Sequence, residues 1–331
     1  MPPALPILSV CVATMNRTRQ LDAQIASLLD QTDGKPVEIV VVDATHPAEA
    51  SNGVWRSNPA VKYQLVPNPS GVDRDYDRAV RAATGRFCWL LPDDDRLRAN
   101  AIERILAHLD TDPDLLLLNA AVYDADLSTN LRERMLRANV PHRLQAPVTA
   151  SDLAPCGHLL TFIGCVVIKR SVWLERMEER FLGSEFAHVG AILSKPFYKD
   201  VIVDREPFLD VRYGAGHWEK RWAQVWHVQW PDLIDSVVTR PELRASFYAR
   251  TDWSRVRAIG EMRAYGVLGR KELQDLTRQR PFGSRIAACV AYVVSIIPSR
   301  LANGTLRALV NAHRGDTRLI KYDLGRAHSR A

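Results

Sequence analysis

FCWLLPDDDRL, residues 87–97, sets five apolar residues against a proline and then three consecutive carboxylates, Asp93, Asp94 and Asp95. The apolar run is the length of a strand buried on both faces. A turn needs one or two polar residues, and three adjacent like charges repel. The segment therefore predicts a buried strand that delivers carboxylates to something at its C-terminal end.

The neighbouring sequence repeats the plan. ILSVCVAT (7–14) and VEIVVVDA (37–44) are short valine-rich runs of buried-strand type, and VKYQLVP (61–67) is a third. Between the first two, NRTRQLDAQIASLLDQ places Leu21, Ile25, Leu28 and Leu29 on one helical face behind Thr18 as a candidate cap. GVDRDYDRAVRAATGR (71–86) does the same with Tyr76, Ala79, Val80 and Ala83, Asp73 as cap and Gly85 as stop. ANAIERILAHL (99–109) and DLLLLNAAVY (114–123) continue the alternation. Such β-α-β order predicts an α/β fold with a mostly parallel, Rossmann-like sheet and helices on both faces. Ligands of these sheets bind beyond the carboxyl ends of the strands. Ala13-Thr14-Met15-Asn16-Arg17, Asp43 and the Asp93–Asp95 cluster all fall there.

Composition narrows the class. The chain is 47% hydrophobic and 25% charged, ordinary for a globular protein. Five cysteines without a CxxC pair read as buried thiols of a reducing compartment. The N-terminus lacks the basic region of a signal peptide. From Arg240 onward there are 18 basic and 7 acidic residues, +11, against 26 and 31, −5, in the remainder. A basic, helical C-terminal region on a slightly acidic body suits a polyanion or an anionic membrane. With no GxGxxG and no GxxxxGK[ST], a glycine loop for phosphate is not expected. Aspartates at the strand end offer another route to phosphate, through a bridging Mg²⁺ or Mn²⁺.

Taken together, LSVCVATMNR, VEIVVVDA, GVDRDYDRAVRAATGRFCWLLPDDDRL and TFIGCVVIKRSVW resemble a family 2 inverting glycosyltransferase of the GT-A fold, within it the abequosyltransferase-like branch. The resemblance spans roughly residues 7–220. It implies a GT-A domain over 1–235, with a nucleotide-binding half (1–120) and an acceptor half (121–235), followed by the basic region 236–331. It implies a nucleotide-sugar donor contacted by Ala13, Thr14, Asn16, Arg17, Asp43, Gly71, Asp73 and Asp93, and Mn²⁺ or Mg²⁺ held by the aspartates. LLPDDDRL departs from the usual LDADDYL form, with Pro92 in place of the first aspartate. Asp94 is then the favoured ligand with Asp95 beside it, and an Asp93/Asp95 pair is the alternative.

Inverting transfer needs a base for the acceptor hydroxyl. The matching stretch, FLGSEFAHVGAIL, offers His188 and Glu185, three apart on one expected helical face behind Ser184 as cap. A neutral histidine with its ordinary pKa near 6.5 suits the task. Both remain candidates, His188 slightly ahead, with Asp152 and Asp210 behind them. GHWEKRW (216–222) is a poor match to the QxxRW of processive members, so a single addition is expected. Arg212, His217 and Trp218 are weaker candidates for the acceptor or diphosphate. The implied acceptor is lipid-linked or a polysaccharide of O-antigen type, and no nucleic acid partner is expected. IAACVAYVVSII (286–297) is too short to span a bilayer yet sits among arginines. The expected location is the cytoplasmic face of the inner membrane, held peripherally. A nucleotidyltransferase and a non-catalytic basic binding protein are the rival readings.

Overall fold

The four strands expected first are present: β1 (Leu8–Thr14), β2 (Val37–Asp43), β3 (Val61–Leu65) and β4 (Phe87–Pro92). They come from a computed structural model that describes residues 5–67, 70–136, 139–195, 197–216, 221–248, 251–313 and 315–327. β1 pairs in parallel with β2 and with β4, and β2 pairs in parallel with β3. Val10, Cys11, Val12, Ile39, Val41 and Leu90 are fully buried, as a sheet covered on both faces requires.

The remaining strands are β5 (Arg96–Leu97), β6 (Leu115–Tyr123), β7 (Asn130–Arg132), β8 (Arg143–Val148), β9 (Val166–Lys169) and β10 (Tyr198–Arg212). The main order is β3-β2-β1-β4-β9-β6-β10-β5, with β8 on β10. β9 runs antiparallel between β4 and β6, while β6 and β10 are parallel. Antiparallel β5 pairs Leu97 with Leu209 and Arg96 with Asp210.

Helix α1 (Thr18–Thr32) buries Leu21, Ile25 and Leu28. Helix α2 (Val72–Ala82) buries Tyr76, Ala79 and Val80, and α3 (Ala101–Leu109) buries Ile102, Ile105 and Leu109. The expected caps differ in detail. Thr18 Oγ1 donates to the Glu49 carbonyl at 2.8 Å instead of capping α1. Gly71, at φ 98°, turns the chain into α2, a conformation that favours glycine. Gly85 is required for a close approach, since a Cβ there would stand 2.5 Å from Ser9 Oγ.

Contacts divide the chain into two units, one of residues up to Tyr123 with Glu133–Arg212, the other Asp124–Arg132 with Tyr213 onward. The sheet unit ends where β10 ends, and the helix Trp230–Val237 belongs to the second unit. The second unit is helical, as expected. Its helices Asp252–Ala264, Arg270–Gln279 and Arg285–Ile296 contribute Val256, Ile259, Met262, Leu273, Leu276, Ala287 and Ala291 to one apolar core. Ser299–Ala312 and Arg318–Arg326 supply Val310 and Leu324 to another.

Candidate active site

The carboxyl ends of β1, β2 and β4 bring the expected polar residues to one sheet edge. At β1, Thr14 Oγ1 donates to Asp93 Oδ2 at 2.6 Å, and the Arg17 guanidinium donates to Asp93 Oδ1 at 3.1 Å and Asp94 Oδ2 at 2.5 Å. This answers the repulsion in the DDD run, because one internal cation bridges two of its members. The balance is incomplete. Burial, then the Asp94 charge, pushes the Asp93 carboxyl up to about 6 despite Thr14 and Arg17. Asp95 is raised well above the ordinary carboxylate range, first by burial and then by Asp94. Its Oδ1 accepts the Arg212 backbone N–H at 3.0 Å, and Arg212 Nε donates to the Asp94 carbonyl at 2.9 Å. Thus β10, which the sequence reads as a shorter strand and an irregular segment, closes the cluster from the other side.

At β2, Asp43 is buried. Its Oδ1 accepts from the Thr45 N–H at 2.9 Å and its Oδ2 from the Tyr63 hydroxyl at 2.8 Å. Thr45 Oγ1 in turn accepts the Asn16 N–H at 2.7 Å, and Asn16 adopts φ 57°. Tyr63 is a site residue that sequence reading missed. Its ring lies under the Arg56 guanidinium at 4.1 Å and edge-on to Trp55 at 5.6 Å. Only the β2–β3 register brings it to Asp43, and no local pattern reveals that register.

Asp73 is the second residue of α2 and does not cap it. Its Oδ2 accepts from Gly183 N at 2.8 Å and Glu185 N at 2.9 Å, and its Oδ1 from Ala187 N at 3.2 Å. It clamps the loop that carries the base candidates. Burial outweighs these three donors and pushes its carboxyl up to about 6. From the same helix, buried Tyr76 packs behind the cluster, its hydroxyl pushed up by burial and by the charges of Asp93, Asp95 and Asp94.

Glu185 and His188 do not share a helical face. Glu185 has φ 69° and precedes the helix Ala187–Ser194, whose start Ser184 does not cap; Ser184 Oγ accepts from Phe186 N one turn early. Glu185 is half-buried. His188 is 2% exposed, with Nε2 donating to the Leu160 carbonyl at 2.8 Å and Nδ1 unpartnered. Burial lowers its pKa to about 4, below the ordinary value near 6.5. Asp152 and Asp210 have other duties: Asp152 forms a capping box with Thr149, and Asp210 binds Arg96 and Arg98. His217 and Trp218 lie outside the described residues.

For a divalent cation, no group of three or more His, Cys, Asp or Glu converges among the described residues. Asp93 is engaged through both oxygens. Asp95 Oδ2 is 3.3 Å from where a Cβ on Gly164 would stand, turned toward the interior. Asp94, with its side chain 14% exposed, is the carboxylate that reaches the edge. Such a donor set fits a cation shared with a diphosphate, since Mg²⁺ is commonly held by one or two carboxylates plus substrate phosphates.

Residues 9–169 match the glycosyl transferase family 2 model. That segment is just under half of the chain and is similar to family 2, and the sheet with its flanking helices has the GT-A architecture. The chain is 24% identical over 202 residues to the abequosyltransferase RfbV of Salmonella typhimurium, a match covering 57% of this chain and 60% of that protein. Among solved structures, S. aureus TarS residues 1–349 in complex with UDP-GlcNAc superposes with a TM-score of 0.55 at 16% identity, over 91% of each chain. The mannosyltransferase PcManGT of Pyrobaculum calidifontis, in complex with GDP-Man and Mn²⁺, gives 0.51 at 17% identity, over 99% of this chain and 88% of that one.

Proposed function

We propose that the protein transfers one sugar, with inversion, from a nucleotide diphosphate donor to a lipid-linked or polysaccharide acceptor in bacterial surface polysaccharide assembly. The observation that carries the reading is the edge where three parallel strands end together at Thr14, Asp43 and Asp93–Asp95, bridged by Arg17. The abequosyltransferase relative supports an O-antigen-like acceptor and the corresponding branch of the family.

In this reading Asp43, held by Thr45 and Tyr63, receives the base, with Ala13, Thr14, Asn16 and Gly71 lining the nucleotide. Asp94 holds Mn²⁺ or Mg²⁺ together with the donor diphosphate. The cation would neutralise charge on the leaving diphosphate. Asp95 stays inside as a support for Arg212, and Arg212 steadies the Asp94 backbone. Glu185 takes the acceptor proton. It is half-buried, whereas the His188 ring is enclosed and bonded to the Leu160 carbonyl.

The test is thermal stabilisation and calorimetric binding of UDP, GDP and CDP with and without Mn²⁺. One of the three should bind more tightly with metal, and Asp94→Ala should abolish the metal-dependent part while the melting profile is retained. Metal-independent binding, or binding unchanged in Asp94→Ala, overturns the assignment.

A further inference from the structure

The second unit contains a cavity of about 270 Å³ that the transferase reading leaves unused. It is built on an unusual element, the π-helical segment Val225–Gln229, which turns Trp226 and His227 into its wall. Three guanidinium groups line it, those of Arg244, Arg255 and Arg280, against one lining carboxylate, Asp235. That carboxylate is already shared. Its Oδ1 takes the Tyr248 hydroxyl at 2.5 Å and lies 3.3 Å from Arg244 Nη1, and its Oδ2 takes Arg280 Nη2 at 2.6 Å.

The other groups are under-supplied with acceptors. Arg255 donates to the carbonyls of Pro281 and Arg280, and it stands 3.7 Å from the Asp252 carboxylate. Burial, with the Arg280 charge adding to it, lowers the Arg255 pKa. Arg280 Nη1 is buried, 3.1 Å from Asp232 Oδ1 but without the alignment of a hydrogen bond. His227 Nε2 is buried with no partner among the described residues, and burial followed by Arg255 holds the ring neutral with a pKa of about 4. Unpaired buried polar atoms are costly, because each has given up its water without gaining a partner. An anion with further oxygens relieves both the orphaned donors and the crowding of guanidiniums. Trp226 and Tyr248 add aromatic lining, with the Arg280 guanidinium 5.5 Å over the Tyr248 ring, and aromatic side chains suit a ring-shaped guest. At about 30 Å³ per water, the volume is that of roughly nine waters, room for one small ring.

We infer that this cavity binds a small sugar phosphate, its phosphate on Arg255 and Arg280 and its ring between Trp226, Tyr248 and His227. The cavity lies wholly in the second unit, and binding is read without turnover, so the inference stands apart from the transferase reading.

Glucose 1-phosphate, glucose and inorganic phosphate are titrated separately into the full-length protein, followed by saturation-transfer NMR and by the fluorescence that Trp226→Phe removes. Glucose 1-phosphate should bind with Kd of about 1 mM, at least tenfold tighter than glucose or phosphate alone. Because Arg280 also holds Asp235, His227→Ala is the cleaner variant, since it removes a ring whose Nε2 has no partner. It should weaken glucose 1-phosphate about tenfold while far-UV circular dichroism shows the helical fold retained. Asp94→Asn should leave this affinity intact. No binding at about 20 mM, equal binding of glucose or phosphate alone, wild-type affinity in His227→Ala, or loss of affinity in Asp94→Asn would each overturn the proposal.

Discussion

Burial separates two side chains that the sequence sets only three residues apart. Glu185 keeps partial access to solvent, and His188 is sealed against Leu160. Loss of a general base typically costs about 10²–10⁴ in rate. Glu185→Gln should therefore collapse turnover while nucleotide affinity, set by Asp43 and Asp94, stays within a few-fold. His188→Ala should instead lower the melting temperature by the cost of a cavity, with turnover per folded molecule retained. The reverse pattern returns the role to His188, whose rate profile would then hold down to about pH 4. A second residue-scale prediction concerns Glu38, which lies at the opposite, N-terminal end of the strands. Burial raises its pKa, but donors from Lys62, Ser9 and Thr84 prevail and bring it to about 2. The folded value is below the unfolded one of 4.5, so the stabilisation is present above about pH 4.5 and fades as pH falls toward 2. Glu38→Gln should lose on the order of 3 kcal/mol at pH 7, a difference that urea titrations should find shrinking toward pH 3. A pH-independent difference would mean that the charge is not what holds Ser9, Thr84 and Gly85 together.

Elements with local, periodic patterns were legible, and those made by distant pairing were not. β1 to β4 and α1 to α3 follow from valine runs and 3.6-residue faces, and with them Asp43 and the aspartate edge. The segment 162–168 reads as one strand, yet the chain makes a 3-10 turn at Ile163–Cys165 before β9. The cause lies about 75 residues away: Trp89 Nε1 donates to the Gly164 carbonyl at 2.8 Å, and Gly164 packs at Pro92. Nothing local announces that contact, nor the antiparallel insertion of β9. The same kind of long-range bond governs the loop 183–187. Asp73, legible as a helix-start residue, instead accepts three of that loop's N–H groups from 110 to 114 residues away. An asparagine there has one acceptor oxygen and turns an N–H₂ toward a donor. Asp73→Asn should release the loop, speeding hydrogen exchange at Gly183, Glu185 and Ala187 by ten- to a hundredfold, the equivalent of about 1.4–2.7 kcal/mol. Because its folded pKa of about 6 exceeds the unfolded 3.8, ionised Asp73 costs stability, greatest below pH 3.8 and falling as pH rises through 6. Asp73→Asn should flatten that part of the stability profile. Unchanged exchange at all three amides would show that the loop is held by its own packing.

On the scale of the whole molecule, the asymmetry of charge finds a structural counterpart in the second unit. No single described helix is long and apolar enough to cross a membrane; Arg285–Ile296 and Ser299–Ala312 would do so only as a pair, and they are bent by 103°. One side of each is buried, through Ala287, Ala291 and Val310. The other sides leave Ile286, Val293, Leu301 and Leu309 exposed at 69, 55, 65 and 64%. Spacings of seven and eight residues put each pair on one helical face, with Arg285, Arg300 and Arg307 nearby in sequence. We propose that these faces lie in the headgroup region of an anionic leaflet, where apolar burial and basic residues act together. Deleting the region would be a poor test, because Ala287, Ala291, Val310 and Leu324 are core residues whose loss would unfold the unit. Substitution of the exposed residues is better. Ile286→Ser with Val293→Ser removes roughly 1.5–3 kcal/mol of burial per side chain. Sedimentation with phosphatidylglycerol-containing vesicles at low salt should recover the wild-type protein and leave the double variant in solution, at equal melting temperature. Binding should weaken as salt rises toward 0.5 M, where screening shortens the reach of the arginines. Wild-type protein that ignores such vesicles, or a double variant that still sediments, would remove the membrane from the reading and leave the basic surface to a soluble polyanion.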